Sequence, residues 1–422
     1  MSKPKNGKGP ASAKVFRFSL PGLIALCLGL VAVSCLVSNA VVGACRRHAA
    51  GLAQAGPAAT GQRGDVAITE GPWGELVTRD VTLERPAEYL NEDLRTLQPA
   101  LWTFHGMNVA QVKAFLGNNG LTPPEVEKAL TPDRVSVQGA DTLFKPSDEF
   151  VLSLSPETRD RFYLAMRGLE VNLYIDSPYY YSQDQLESIS RDTRVQPEDL
   201  ALFKRLVYGG SAIRRFSDFE TLMGRIPTLE RRVGMAAALS RQNVVLAGLM
   251  VRPDTDIDKV ALYWGNTPNV RFIDIRPMLE GIKGLPRGGT ISLMYLLPPF
   301  ARERLYTFPP CPAPGQPLPD AYWSTFNFSS VNSDNRFLDP AESARYAEAN
   351  YYPIAQPGIC GDVLLFRNPE GQIRHSAVYL AGDLVFTKLG RNCAMPWMIM
   401  HIADLQAMYS NCNIVYLRDK TD

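Results

Sequence analysis

The sequence lacks most of the features that would assign a chemistry directly. Its 422 residues contain 44 Lys and Arg against 43 Asp and Glu, so the formal net charge is +1. Without a basic excess or a basic stripe with interleaved aromatics, nothing in the composition indicates a nucleic-acid partner. The chain has no glycine-rich phosphate loop, and its cysteines and histidines do not have zinc-site spacing. The sequence therefore predicts no cofactor and no bound metal.

One long hydrophobic run is present near the N-terminus. Residues 18–45 contain no charged side chain, and about 20 apolar residues suffice to span a bilayer. The basic residues of the tail at 1–17 outnumber those that close the run, which predicts a cytoplasmic N-terminus. We expect an uncleaved, single-pass signal anchor in the cell membrane, with the bulk of the chain extracytoplasmic. Signal-peptide cleavage at Ala40 and lipoprotein processing at Cys45 are the alternatives.

The remainder of the chain divides by composition. Residues 46–84, rich in Ala, Gly and Gln, are typical of a flexible stalk. Residues 85–297 carry repeated helix-start signals, such as Thr122–Glu125, and predict a mainly helical domain. The proline-dense stretch at 298–318 predicts a connector without regular structure. Near the C-terminus, the apolar run at 397–408 predicts a helix that faces the core.

Histidine is scarce, with four in the whole chain, and His375 has the most informative surroundings. Two apolar runs, 363–367 and 376–380, flank a turn cluster at 368–371, and a third run follows at 384–387. This pattern predicts three short antiparallel strands joined by tight turns, with His375 where the second strand begins. His375 is therefore the first candidate for a catalytic group.

The same stretch resembles a known family. The pattern Gly-Asp-apolar-apolar-apolar-Phe, a turn, then His-Ser-Ala-Val-Tyr-Leu-Ala-Gly-Asp is similar to the NlpC-type papain-like cysteine peptidases, which cleave peptide crosslinks of bacterial cell walls. The resemblance covers residues 319–416 and implies a small papain-like domain at 319–422 with an antiparallel sheet. It also implies that His375 is the general base for a cysteine on an upstream helix. The rest of the chain resembles uncharacterised bacterial membrane-anchored proteins.

The nucleophile position of that family falls on Ala321. Relatives are expected to carry Asp-Cys at the start of an aromatic-containing helix, whereas this chain has Asp320 followed by Ala321. Alanine has no heteroatom with which to attack a carbonyl. The residue that would orient His375 is also replaced, because Thr387 and Lys388 stand in place of the usual His or Asn. The sequence therefore favours a pseudoenzyme over an active peptidase.

Another cysteine could replace the missing nucleophile. From the predicted turns, Cys393 would leave the sheet at the same end as His375. Cys360 would lie about 17 Å away along the strand, taking ~3.3 Å per residue. Disulfides are the alternative role in a predicted oxidising compartment, with three connectivities if four cysteines pair. Those four are Cys311, Cys360, Cys393 and Cys412.

Together these observations predict an α+β fold: a transmembrane helix, a helical middle domain and a small C-terminal papain-like domain. The leading hypothesis is a membrane-anchored cell-envelope pseudoenzyme that binds or positions a peptide or peptidoglycan partner. The first alternative is an active cysteine peptidase or amidase of cell-wall peptides that uses His375 with Cys393. The second is an envelope scaffold that acts through its helical domain.

Overall fold

The computed structural model describes residues 66–169, 171–310 and 317–420. The predicted tail, the signal anchor at 18–45 and most of the stalk lie outside these residues. In the part of the chain described, no helix combines the length and the apolar character needed to cross a bilayer. Residues 64–422 form one compact unit, which contains both the predicted helical region and the predicted papain-like region.

Sixteen α-helices occur in the described residues, and most are short. Their bounds are α1 Ala87–Thr96, α2 Val109–Asn118, α3 Pro123–Ala129, α4 Asp148–Ser153, α5 Pro156–Met166, α6 Leu173–Asp176, α7 Gln183–Ser190, α8 Pro197–Leu206, α9 Phe219–Arg225, α10 Leu229–Leu239, α11 Ile257–Gly265, α12 Phe272–Lys283, α13 Pro299–Arg304, α14 Ala321–Phe326, α15 Pro340–Asn350 and α16 Ile402–Met408.

Fifteen strands accompany them in the same residues. Their bounds are β1 Ala67–Gly71, β2 Gly74–Leu83, β3 Trp102–Phe104, β4 Val135–Gln138, β5 Asp141–Phe144, β6 Tyr179–Tyr181, β7 Arg214–Phe216, β8 Gln242–Val251, β9 Gly289–Ser292, β10 Tyr351–Ile354, β11 Val363–Arg367, β12 Ile373–Ala381, β13 Leu384–Lys388, β14 Trp397–His401 and β15 Asn413–Asp419.

The strands pair into antiparallel sheets. The largest has six strands in the order β10-β15-β11-β12-β13-β14, and a four-stranded sheet has the order β1-β2-β8-β9. Two small sheets, β3-β5-β4 and β6-β7, lie within the region predicted to be mainly helical. The predicted α+β class with antiparallel sheets is therefore confirmed.

Helix-start chemistry explains where several helices begin. At Thr122 the backbone N–H donates to the Glu125 carboxylate at 2.7 Å, and α3 starts at the next residue. The Ser155 hydroxyl accepts from the backbone N–H of Thr158 at 3.1 Å and begins α5 in the same way. Both groups satisfy backbone positions that have no partner inside the helix. The predicted helix start at Thr122–Glu125 is confirmed.

Two sequence expectations about regular structure are wrong. The proline-dense connector contains α13, whose first residue, Pro299, occupies the position where a missing N–H costs nothing. The predicted helix at 397–408 is instead β14 followed by α16. In β14, Ile399 pairs with Phe386 of β13, and the strand is buried on both faces through Met400. A short, fully apolar run does not distinguish strand from helix by periodicity.

The six-stranded sheet separates two hydrophobic cores. Leu364, Phe366 and Ala377 face a core shared with the helices of the middle region. Leu365 and Val378, one residue on from these, face a second core that includes Trp323 of α14 and Trp264 of α11. This division follows from the period of two along a strand. The face on which a β12 side chain lies therefore determines which helices it contacts.

The imidazole of His401 connects the two large sheets. Its Nδ1 lies 2.7 Å from the carboxylate of Asp383, in the turn between β12 and β13, and its Nε2 lies 3.4 Å from Asp80 of β2. The hydrogen bond with Asp383 and the surrounding negative charges raise the pKa of His401 to about 9. The charged ring is therefore favoured in the folded state across neutral pH.

We expect the stabilisation from His401 to disappear at alkaline pH. Because the folded pKa lies above the unfolded value of about 6.5, the contribution is complete below pH ~6.5 and is lost as the pH rises through about 9. The solvent-exposed carboxylates limit it to about 1 kcal/mol. Urea unfolding of wild type and His401→Gln at about pH 6 and pH 10 measures it. A difference in free energy of unfolding that grows at alkaline pH would contradict this assignment.

Candidate functional site

His375 lies in the interior, at the start of β12. Phe366 of β11 is directly opposite in the ladder, and the His375 side chain is only 1% exposed. Its Nε2 lies 2.8 Å from the hydroxyl oxygen of Thr387 on β13. Its ring stacks on Tyr409 with 4.6 Å between ring centroids. The predicted strand position is confirmed. The ring is enclosed by Phe366, Thr387 and Tyr409.

This burial determines the protonation state of His375. Removal from solvent lowers its pKa to about 3, since a buried imidazole loses the hydration that favours its charged form. The ring is therefore neutral at physiological pH. An efficient general base has a pKa near the working pH, so this imidazole accepts a proton poorly in the folded protein.

Ala321 is the first residue of α14. The Asp320 carboxylate caps the helix by accepting the backbone N–H of Trp323 at 2.9 Å. Farther along, the Thr325 and Ser376 hydroxyl oxygens are 2.9 Å apart. The helix thus lies against the Ser376 side of β12. An Asp-capped helix beginning at Ala321 is what the resemblance implies for the nucleophile segment.

The structure nevertheless does not bring His375 to this helix. Successive side chains of a strand point to opposite faces of the sheet. Ser376 contacts α14, so the neighbouring His375 points to the other face, where it meets Tyr409. A cysteine–histidine pair needs both groups within hydrogen-bond reach. The pairing of position 321 with His375 that the resemblance implies is absent from this arrangement.

Cys393 does not supply the missing thiol either. It is disulfide-bonded in this structure, and a disulfide sulfur has no thiolate with which to attack a carbonyl. The hypothesis of Cys393 as a replacement nucleophile therefore has no support in the oxidised protein. Cys393 instead has the disulfide role that the sequence left open as the alternative for these cysteines.

Two of the cysteines, Cys360 and Cys412, are not disulfide-bonded, and both are buried. Cys360 lies toward the Tyr379 end of β12, since the next residue, Gly361, donates its backbone N–H to the Tyr379 carbonyl. Cys412 belongs to the same core as Tyr409, the ring that stacks on His375. Burial raises the pKa of the Cys412 thiol. A protonated, buried thiol is a poor nucleophile.

Lys388 has a structural role that was not predicted from the sequence, and it lies on the same face of the sheet as α14, two residues after Phe386 of the Trp323 core. Its side chain is fully buried, and its Nζ donates to the carbonyls of Gly390 at 2.7 Å and Asn392 at 3.0 Å. Burial lowers its pKa to about 7, with the negative charge of Asp320 acting in the opposite direction. Lys388 therefore fixes the loop after β13 and does not orient His375. The sequence signal for this role was a lysine at the end of an otherwise apolar strand, where a buried side chain is expected.

The carboxyl group of Asp320 shares this buried environment. Desolvation raises its pKa to about 6, against the lowering effects of the Trp323 N–H and of the charges on Arg391 and Lys388. The hydrogen bond of Asp320 caps α14, and its negative charge acts on the Lys388 amine through space. The face that would carry a nucleophile thus holds a buried carboxyl group and a buried amine, and each has a structural role: Asp320 caps α14 and Lys388 holds the loop after β13.

Comparison with known proteins adds no relative to this picture. No protein-family model matches the chain, no curated protein matches it, and no solved structure matches it. The NlpC-type resemblance stays a prediction from the residues quoted above.

Proposed function

We propose that this chain is a non-catalytic protein of the cell envelope, held at the membrane by residues 18–45, whose α+β unit binds a peptide partner. The observation that carries the non-catalytic part is the position of His375. Its ring is buried against Tyr409 on the face of the sheet opposite α14. The geometry of a cysteine hydrolase is therefore not assembled around Ala321.

The contacts of His375 support a structural role for this residue. Thr387 lies within hydrogen-bond distance of the ring and also donates its hydroxyl to the Ser376 carbonyl at 3.2 Å. Phe366 packs edge-on against the same ring, with 5.6 Å between centroids. These contacts tie β11, β12 and β13 to the Tyr409 segment. These contacts account for a buried histidine at this position without a catalytic role.

A cell-wall assay separates the proposal from the active-enzyme alternative. Full-length protein in detergent is incubated with purified peptidoglycan, and release of soluble peptides is followed by chromatography while bound protein is followed by co-sedimentation. We expect saturable co-sedimentation without peptide release. Release of peptides that is abolished in His375→Gln would overturn the non-catalytic proposal. Absence of any binding to peptidoglycan or to soluble peptides would overturn the peptide-binding part.

Thiol labelling provides an independent prediction. Because Cys393 is disulfide-bonded and the thiols of Cys360 and Cys412 are buried, we expect slow iodoacetamide labelling of the folded, unreduced protein at all three positions. Mass spectrometry after unfolding should show Cys360 and Cys412 labelled without reductant and Cys393 only with it. Rapid labelling of Cys393 in the folded, unreduced protein would restore the relocated-thiol alternative.

A further inference from the structure

A groove of about 560 Å³ lies between α7 and α8, in the middle region of the chain. Its volume falls in the range of about 300–1,000 Å³ that is typical of ligand sites. One wall is the face of α7 that carries Leu186 and Glu187. The other is the end of α8, with Phe203 and Lys204, and the next residue, Val207. None of the residues that line the groove belongs to the His375 region.

The floor of the groove is apolar. Phe203 is almost fully buried, with 1% of its surface exposed, while Leu186 and Val207 are half-buried. Phe203 belongs to the last turn of α8 and Val207 follows the helix directly, and both line the groove. Apolar side chains of a ligand would remove the exposed parts of Leu186 and Val207 from water, which is favourable in proportion to the area covered.

The rim of the groove carries positive charge without a matching carboxylate. Lys204 is exposed, and the Arg214 guanidinium donates to the backbone carbonyl of Gly209 at 2.9 Å. Neither side chain forms an ion pair within the described part of the chain. The acid at the rim, Glu187, is already paired with Arg191 at 2.7 Å. A ligand that complements this rim therefore carries a negative group.

We propose that the groove binds an apolar peptide segment that carries a carboxylate. The apolar side chains contact Leu186, Phe203 and Val207, and the carboxylate lies between Lys204 and Arg214, where a guanidinium offers two parallel donors. This inference rests on the proposed peptide-binding function and names its site. It places recognition at α7 and α8 of the helical middle region and not at His375.

Fluorescence anisotropy of full-length protein in detergent tests the groove. The probes are fluorescein-labelled Ala-Leu-Ala-Leu with a free C-terminal carboxylate and the same peptide with a C-terminal amide. We expect the amide to bind about five-fold more weakly, as a charge pair at a solvated rim contributes up to about 1 kcal/mol. Lys204→Gln combined with Arg214→Gln should abolish the preference for the free carboxylate.

A change in the floor should lower affinity for both probes. Leu186→Glu places a carboxylate among the apolar contacts, and we expect it to weaken binding by about ten-fold, which corresponds to roughly 1.4 kcal/mol. Leu262→Glu is the matched control, since Leu262 is 64% exposed on α11 and does not line the groove. Circular dichroism checks that each variant is folded. If Leu186→Glu does not fold, the Lys204/Arg214 double variant still tests the groove, because Lys204 is exposed.

The outcomes distinguish the groove from the function on which it depends. If the free peptide binds to wild type but equally well to the Lys204/Arg214 double variant, the groove is overturned and peptide binding at another site stands. Equal affinity for the acid and the amide overturns the carboxylate preference in the same way. If wild type binds neither probe and does not co-sediment with peptidoglycan, the proposed function itself fails.

Discussion

Replacement of His375 by Gln is expected to make the protein more resistant to acid. Burial lowers the folded pKa of this histidine to about 3, against an ordinary value of 6.5. Below pH ~6.5 the unfolded chain therefore binds a proton that the folded protein excludes, and wild type loses stability as the pH falls toward 3. At about pH 4.5, two units below 6.5, the loss attributable to His375 is about 3 kcal/mol.

Urea unfolding of wild type and His375→Gln at about pH 7.5 and pH 4.5 measures this loss. At neutral pH the variant should be less stable by about 1 kcal/mol, because it lacks the ring that stacks on Tyr409. At acid pH the order should reverse. His105→Gln is the control, since the His105 side chain is 67% exposed. Parallel loss of stability in wild type and His375→Gln would mean that His375 is protonated in the folded state, and a role as a base would reopen.

Local patterns predicted the strands around His375 closely. The predicted run at 363–367 coincides with β11, and the predicted third strand at 384–387 ends one residue before β13 does. The turn between the first two runs contains Gly371, which has a positive φ of 81°. That backbone region favours glycine. Turn residues and β-branched runs are short-range signals, and they specify short-range structure.

The assignment of faces could not be predicted in this way. A period of two shows that His375 and Ser376 point to opposite sides of the sheet, but not which helix covers each side. That choice depends on contacts far apart in sequence, such as Thr325 with Ser376 and the stacking of Tyr409 on His375. The sequence therefore predicted the strand that carries His375 but not the side of the sheet on which its ring is packed. The disulfide state of Cys393 is likewise not deducible from cysteine spacing.

The middle region contains the ion pair whose loss should destabilise the protein most. Arg159 and Asp218 are both buried, and the Nε of Arg159 lies 3.0 Å from the Asp218 carboxylate. The Tyr163 hydroxyl donates to the same carboxylate, while other Arg159 nitrogens donate to the carbonyls of Arg205 and Val151. Burial raises the pKa of Asp218 to about 6. The guanidinium is therefore the partner that keeps this carboxylate ionised at neutral pH.

Asp218→Asn is expected to lower the free energy of unfolding by about 3–5 kcal/mol at neutral pH, because it leaves the Arg159 charge buried without a counter-charge. Glu127→Gln, which breaks an exposed pair with Lys113, is the matched control and should cost less than about 1 kcal/mol. The double variant Arg159→Met/Asp218→Leu removes both charges and should be more stable than Asp218→Asn alone. Urea unfolding of the four proteins measures these differences. A cost for Asp218→Asn as small as that of the control would show that water reaches Arg159, and the middle region would then be less tightly closed around α5 than its contacts indicate.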